Sequence, residues 1–242
     1  MIFFSAIPSS NEMMSGMNSR WARIVPAYCP RGVPRRIFGH RIFSHTPAVS
    51  PFELFAAVVG AISVYLSVRQ NIWSWPTGIV NVLAYTVVFF QEKLYADMGL
   101  QVIYAVLSVY GWYEWLHGGE NKTELHVTKT NGRLAGMLTA IGLVGFAGLG
   151  VILSKTTDAA LPFMDSFLSS TSLVAQWMMT RKKLENWLVW IFVDVLYVGM
   201  FIYKHLYVTA GLYVVFLFLA ARGYIDWRRS MTTRPIAEPA LA

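Results

Sequence analysis

Trp187, Trp190, Asp194, Tyr197 and Phe201 follow one another at intervals of 3, 4, 3 and 4 residues. That spacing places all five on one face of an α-helix. Asp194 lies eight residues beyond Asn186, about 12 Å along a helix rising 1.5 Å per residue, in the middle of an apolar stretch. A carboxylate at bilayer mid-depth costs about 2.5–3.5 kcal/mol on insertion scales and by default marks a functional site. The competing reading is an acid hydrogen-bonded to a neighbouring helix for packing alone. Aromatic stripes also commonly form core or lipid belt, and Trp187 falls near the membrane–water interface, where tryptophan is frequent. The acid within the stripe favours a ligand site. Two indoles and a carboxylate on one face suit a flat, cationic, partly polar ligand through stacking and cation–π attraction.

Three amides join this set. Asn81 occupies the middle of an earlier apolar stretch, on a face with Gly78 and Tyr85, while Gln101 and Gln176 lie in two others. Each could line a polar path or cross-link helices, a bond worth about 0.6 kcal/mol on average. Other ionisable groups lie close to loops (Asp97, Asp165) or near a stretch end (Arg222). His40, His45, His117, His126 and His205 fall in loops or at stretch ends without clustering, and the lone Cys29 excludes a disulfide framework and any cysteine-based metal site. No HExxH, GxSxG, P-loop or glycine-rich nucleotide turn is present. The expectation is no enzyme, no cofactor and no metal.

The elements that must hold these residues are membrane helices. Of 242 residues, 55% are hydrophobic and 14% charged, and mean hydropathy is +0.47. A soluble domain carries about 25% charged residues, so a soluble enzyme or a nucleic-acid partner is excluded on composition. Seven apolar stretches occupy about 52–68, 72–91, 96–116, 134–153, 161–179, 187–204 and 207–227. A span needs about 20 such residues, and helix is the default because backbone groups in lipid must be satisfied internally. The fourth stretch, with Gly136, Gly142, Gly145, Gly148 and Gly150, reads as a packing helix whose small residues admit a close neighbour. Residues 1–50, rich in Pro and Arg, read as a disordered extension, 51–230 as the membrane domain, and 231–242 as a tail.

Charge sets the expected orientation. Of the net +7, residues 1–48 carry six Arg against one Glu. Within the domain, eleven basic residues from Arg69 to Arg234 fall on one side, against Lys93, Lys155 and Lys204 on the other. Cytoplasmic loops collect Lys and Arg, which puts the C-terminus in the cytoplasm and the arginines of the extension on the wrong side.

An offset of 112 residues superposes the two ends of the domain. Trp75 falls on Trp187, Tyr85 on Tyr197, Gly111 on Gly223, Trp115 on Trp227 and Arg69 on Arg181, with Leu94, Tyr95, Gly99 and Leu100 on Leu206, Tyr207, Gly211 and Leu212. Val82 rather than Asn81 aligns with Asp194. Two three-helix units (about 52–116 and 161–227) joined by one linker helix (about 134–153) form a parallel repeat, an arrangement found in SWEET-type transporters. The expected fold class is therefore all-α, seven transmembrane helices, SWEET-like 3+1+3.

The sequence also resembles the PnuC family of bacterial nicotinamide riboside transporters. The resemblance is carried by Trp75-Pro76-Thr77-Gly78, Leu94-Tyr95 with Asp97-Met98, Tyr110-Gly111-Trp112 with Trp115, and Gln176-Trp177. It continues through the stretch RKKLENW from Arg181 to Trp187 with Trp190 and Asp194, then Thr209-Ala210, Leu212-Tyr213, and Gly223 with Trp227. It implies a homo-oligomer, a trimer, in the bacterial inner membrane. It further implies uptake of nicotinamide riboside by facilitated diffusion, with cytoplasmic phosphorylation trapping the product. Carriage of thiamine or riboflavin, and a proton-coupled mechanism through Asp194, are the alternatives. The substrate-binding candidates are Trp187, Trp190, Asp194, Tyr197, Asn81, Gln176 and Gln101.

Overall fold

The computed structural model describes residues 51–91, 95–156, 161–203 and 207–232. The expectations for residues 1–50, for Lys93, Leu94, Lys204, His205 and Leu206, and for the tail beyond Thr232 lie outside the described residues. Seven α-helices follow in order: α1 (Pro51–Val68), α2 (Ser74–Gln91), α3 (Tyr95–His117), α4 (Gly132–Thr156), α5 (Pro162–Thr180), α6 (Asn186–Tyr203) and α7 (Tyr207–Thr232). Each coincides with an expected stretch. The last runs on past residue 227 to Thr232, because a charged final turn bearing Arg228 and Arg229 is helical without being apolar.

The segments Gly132–Lys155, Asn186–Tyr203 and Thr209–Thr232 are long and apolar enough to cross a membrane, and Leu54–Val68 is a shorter apolar helix. The remaining helices fall short of that measure because they carry polar side chains that point inward. Asn81, Gln101, Ser108, Ser166, Ser170, Ser172 and Gln176 are all buried. The outside stays apolar, with Leu83, Val87 and Phe90 of α2 and Val102, Val106 and Val109 of α3 exposed. A polar interior with an apolar exterior reverses the soluble pattern.

Six helices close a ring. α1 packs on α2, α2 on α3, α3 on α5, α5 on α6, α6 on α7, and α7 returns to α1. α4 stands outside this ring and packs on α5. Its small residues make that approach possible. Ser170 Oγ of α5 donates to the Gly142 carbonyl at 2.6 Å, and a Cβ on Gly145 would lie 2.7 Å from the same hydroxyl. The packing expectation for the fourth stretch therefore applies to Gly142, Gly145 and Gly150, whereas Gly136 and Gly148 have open space beside them.

The 112-residue offset is visible in the turns. Gln70 and Lys182 have φ of 53° and 44°, a left-handed conformation that L residues seldom adopt. Around them the backbone bonds correspond one to one. Gln70 N–H reaches the Ser67 carbonyl and Asn71 N–H that of Leu66, as Lys182 reaches Met179 and Lys183 reaches Met178. Around Lys182 the chain between α3 and α4 straps across the turn. Thr128 N–H donates to the Lys182 carbonyl at 3.1 Å, and Leu184 N–H donates to the Thr128 carbonyl at 2.9 Å. Glu185 Oε2 then accepts from both Thr130 N–H (2.8 Å) and Thr130 Oγ1 (2.7 Å).

Candidate functional site

A chain of four indoles closes one end of the ring. Trp75 meets Trp115 edge-on at 5.3 Å, Trp115 meets Trp227 at 5.9 Å, and Trp227 meets Trp187 at 5.3 Å. Glycine makes the seats. A Cβ on Gly223 would lie 2.6 Å from the Trp187 ring, and one on Gly111 would collide with Trp75. Trp187 is fully buried and Trp115 is 2% exposed. Trp187 therefore belongs to a packed layer at one end of the ring. Gly111 and Gly223 make room for the two outer indoles, Trp75 and Trp187.

Distance from this layer orders the candidates. At 1.5 Å per residue, Trp190 and Gln176 lie about 4–5 Å beyond it, Asn81 and Asp194 about 9–11 Å, Tyr197 about 15 Å and Gln101 about 21 Å. All seven candidates are buried. Trp190 with Gln176, and Asn81 with Asp194, thus share two adjacent levels. Gln101 stands apart, nearer the opposite end.

The polar atoms at these levels are incompletely paired. Asn81 Nδ2 donates to the Ala56 carbonyl of α1 at 2.6 Å, a helix cross-link as anticipated for a buried amide. Its Oδ1 has no hydrogen-bond partner among the described residues, and the same holds for Gln101 Oε1, Gln176 Oε1 and Asp194 Oδ2. A buried polar atom left unpaired costs about 1–3 kcal/mol. These four are all acceptors, so together they suit a ligand rich in N–H and O–H donors or carrying positive charge. No Lys or Arg among the described residues shares their depth; Lys182 instead sits with Nζ 4.4 Å from the Trp115 ring centre.

Tyrosines complete the interior. The Tyr197 ring stacks on Phe201 (5.8 Å) and meets Tyr213 of α7 at 4.7 Å. Tyr213 lies within electrostatic range of Asp194, Tyr85 and Tyr104, and the Tyr104 hydroxyl hydrogen-bonds with Ser172 of α5. Tyr85, Tyr104, Ser108, Ser172 and Tyr213 were not among the candidates. A signal for two of them, Tyr104 and Ser108, existed. Gln101, Tyr104, Ser108, Gly111 and Trp115 repeat in α3 the 3, 4, 3, 4 spacing of α6.

A family model described as nicotinamide mononucleotide transporter matches residues 50–229. The chain belongs to that family. Among its relatives, nicotinamide riboside transporter PnuC of Escherichia coli (strain K12) is 30% identical over 211 residues, 77% of this chain and 88% of the relative. Riboflavin/roseoflavin transporter RibM of Streptomyces davaonensis is 25% identical over 197 residues, 78% and 91% of the two chains. The crystal structure of the vitamin B3 transporter PnuC matches with a TM-score of 0.58 at 24% identity, covering 75% of this chain and 83% of that one, a likeness of fold. The family is one of membrane transporters rather than enzymes, in accord with the missing enzyme motifs. The two relatives are thus named for a riboside and for a flavin.

Proposed function

We propose that this transporter carries nicotinamide riboside into a bacterial cell across the cytoplasmic membrane by facilitated diffusion, cytoplasmic phosphorylation then trapping the product. The observation that carries the reading is the set of buried, unpartnered acceptors Asn81 Oδ1, Gln176 Oε1 and Asp194 Oδ2, one to two helical turns from Trp187 and with Trp190 at the Gln176 level. Nicotinamide riboside offers the complement. Its pyridinium is flat and permanently positive, which suits the Trp190 face and the Asp194 carboxylate. Its carboxamide and ribose supply N–H and O–H donors. A 5′-phosphate would place two negative charges among acceptors with no cation at that depth among the described residues, which favours the riboside over the mononucleotide. The riboflavin relative keeps a flavin as the second reading, but a flat neutral ring makes no use of Asp194.

The wider reading adopts two parallel three-helix units joined by α4, SWEET-like in plan, in a homotrimer. The indole layer and the basic turns face the cytoplasm, because Arg181, Lys182, Lys183 and the end of α7 share that end. Titration of detergent-purified protein with nicotinamide riboside, its mononucleotide, thiamine and riboflavin tests the substrate. Riboside binding at least tenfold tighter than the other three is expected. Preferential binding of the mononucleotide or riboflavin overturns the assignment.

A further inference from the structure

We infer that Gly60 of α1 is a positioning residue for the ligand, acting through Asn81. The inference rests on the proposed substrate. The Ala56 carbonyl has two lone pairs. One faces along α1 to the next turn, and the second accepts Asn81 Nδ2 at 2.6 Å. Because a carbonyl can only accept, this bond fixes which end of the amide is which and leaves Oδ1 as the acceptor without a partner among the described residues. Gly60 makes the approach possible. A Cβ there would lie 3.0 Å from Asn81 Nδ2, 3.5 Å from Cγ and 3.7 Å from Oδ1, so any side chain displaces the amide by a few tenths of an ångström. The second unit lacks this device. Its equivalents are Ser172, which bonds with Tyr104, and Val193, which has no polar group. One amide, aimed by one glycine at the level of Asp194, therefore distinguishes the two halves of the site for a ligand donor such as a carboxamide N–H or a ribose hydroxyl.

A double-mutant cycle on nicotinamide riboside binding to the full-length protein tests this. Gly60→Ala and Asn81→Ala are each expected to weaken binding at least fivefold, and the double variant to bind no worse than Asn81→Ala alone, because Gly60 has nothing left to aim. Melting temperatures of the ligand-free proteins report general damage separately. Multiplying losses, or wild-type affinity in Gly60→Ala, overturn the inference. If Gly60→Ala does not accumulate, Asn81→Gln carries the same amide one methylene further. Loss of affinity there supports the inference, and retained affinity overturns it. Wild-type protein that does not bind the riboside overturns the substrate reading itself, a distinct outcome.

A separate observation concerns the two seams between the units. At the indole end the α3/α5 seam holds Trp115 Nε1 to the Met179 carbonyl (3.1 Å), Arg181 to Glu114 (2.8 Å) and Arg181 to the Tyr110 hydroxyl (3.1 Å). The strap adds its own bonds, from Leu125 N–H to the Trp115 carbonyl through to Thr130 on Glu185. The α1/α7 seam holds Trp227 Nε1 to the Ser67 carbonyl (3.1 Å) and Gln70 Nε2 to Ser230 Oγ (2.9 Å). The ion pair equivalent to Arg181–Glu114 is missing there. Asp226 accepts from Arg222 on its own helix at 3.1 Å, and Arg69 has no ion pair among the described residues. The geometry points to α1/α7 as the seam that opens at this end during transport, with α3/α5 as the hinge. Cysteine pairs at Gln70 and Ser230, and at Glu114 and Arg181, in a Cys29→Ser background, provide the test. Bridging the first pair should stop riboside flux in proteoliposomes and reductant should restore it, whereas bridging the second should leave most of the flux of its own reduced form. Flux that survives the first bridge, or is abolished by the second, overturns the assignment.

Discussion

Trp115 and Trp227 each donate the indole N–H to a backbone carbonyl of the opposite unit, Met179 and Ser67 respectively, both at 3.1 Å. Met179 and Ser67 are themselves 112 residues apart, as are the two indoles. The bonds are thus one interaction made twice, and the rings touch each other between them at 5.9 Å. Replacing either indole by phenylalanine keeps a ring and removes the donor, at about 0.5–1.5 kcal/mol; alanine removes the ring as well, at about 3–5 kcal/mol. Thermal melting of the purified variants should rank wild type, Trp→Phe and Trp→Ala in that order at both positions. Equal melting temperatures would show the layer to be dispensable. Trp115 stands at a helix end yet is buried in the layer, so its loss should lower stability while costing far less affinity for the riboside than loss of Trp190 or Asp194.

The seats of the outer indoles should be equally sensitive. Gly111→Ala and Gly223→Ala each drive a methyl into a packed ring, and overpacking costs about 1–3 kcal/mol. Gly211→Ala, with nothing within 4 Å of the added atom, serves as the neutral comparison. A melting temperature for Gly223→Ala as high as that for Gly211→Ala would contradict the packing described.

Ligand affinity should depend on Trp190 and Asp194. Trp190→Ala and Asp194→Ala are expected to weaken riboside binding about tenfold or more, where 1.4 kcal/mol is tenfold. Isothermal titration provides the measurement. If both folded variants bind as tightly as wild type, the stripe on α6 serves packing and the site lies elsewhere.

Much of this was legible beforehand. Apolar stretches located all seven helices, and the fixed offset paired Arg69 with Arg181 and Trp75 with Trp187 on either side of the turns whose backbone bonds correspond, because lipid and repetition both write strong periodic signals. The division of labour within the α6 stripe was not legible. Trp187 and Trp190 share one face and one spacing, yet Trp187 packs on Trp227 and Gly223 while Trp190 lies at the level of Gln176. The neighbours that each of them packs on are decided by residues far away in sequence. The α3 stripe escaped notice for a different reason: Gln101, Tyr104 and Ser108 carry no charge, so no single residue flags it as Asp194 flags α6.

Transport should run downhill only. Asp194 is the one carboxylate at its depth among the described residues, and no histidine or second acid accompanies it to form a relay. Proteoliposomes should equilibrate labelled riboside whether or not a pH or sodium gradient is imposed. Accumulation above the external concentration under either gradient would establish coupling and favour the proton-linked alternative.

Removal of the N-terminal segment should leave function intact. The family match begins at residue 50, and the six arginines before it oppose the orientation that the core turns favour. A chain beginning at Val49 should insert and carry riboside at the wild-type rate. Failure of insertion or flux would assign the segment a role.

The frame of the ring is two-fold and its lining is not. Trp75 and Trp187, Trp115 and Trp227, and Tyr85 and Tyr197 are the same residues in equivalent places, while Asn81 pairs with Val193, Val82 with Asp194 and Gln101 with Tyr213. A dimer of two identical units could build the frame but would present every lining group twice. A ligand without symmetry, with a charged ring at one end and a sugar at the other, would then find two opposed poses of equal energy. With Asn81 aligned on Val193 and Val82 on Asp194, the two opposed poses of the proposed ligand would differ, one meeting the carboxylate and the amide and the other meeting valine.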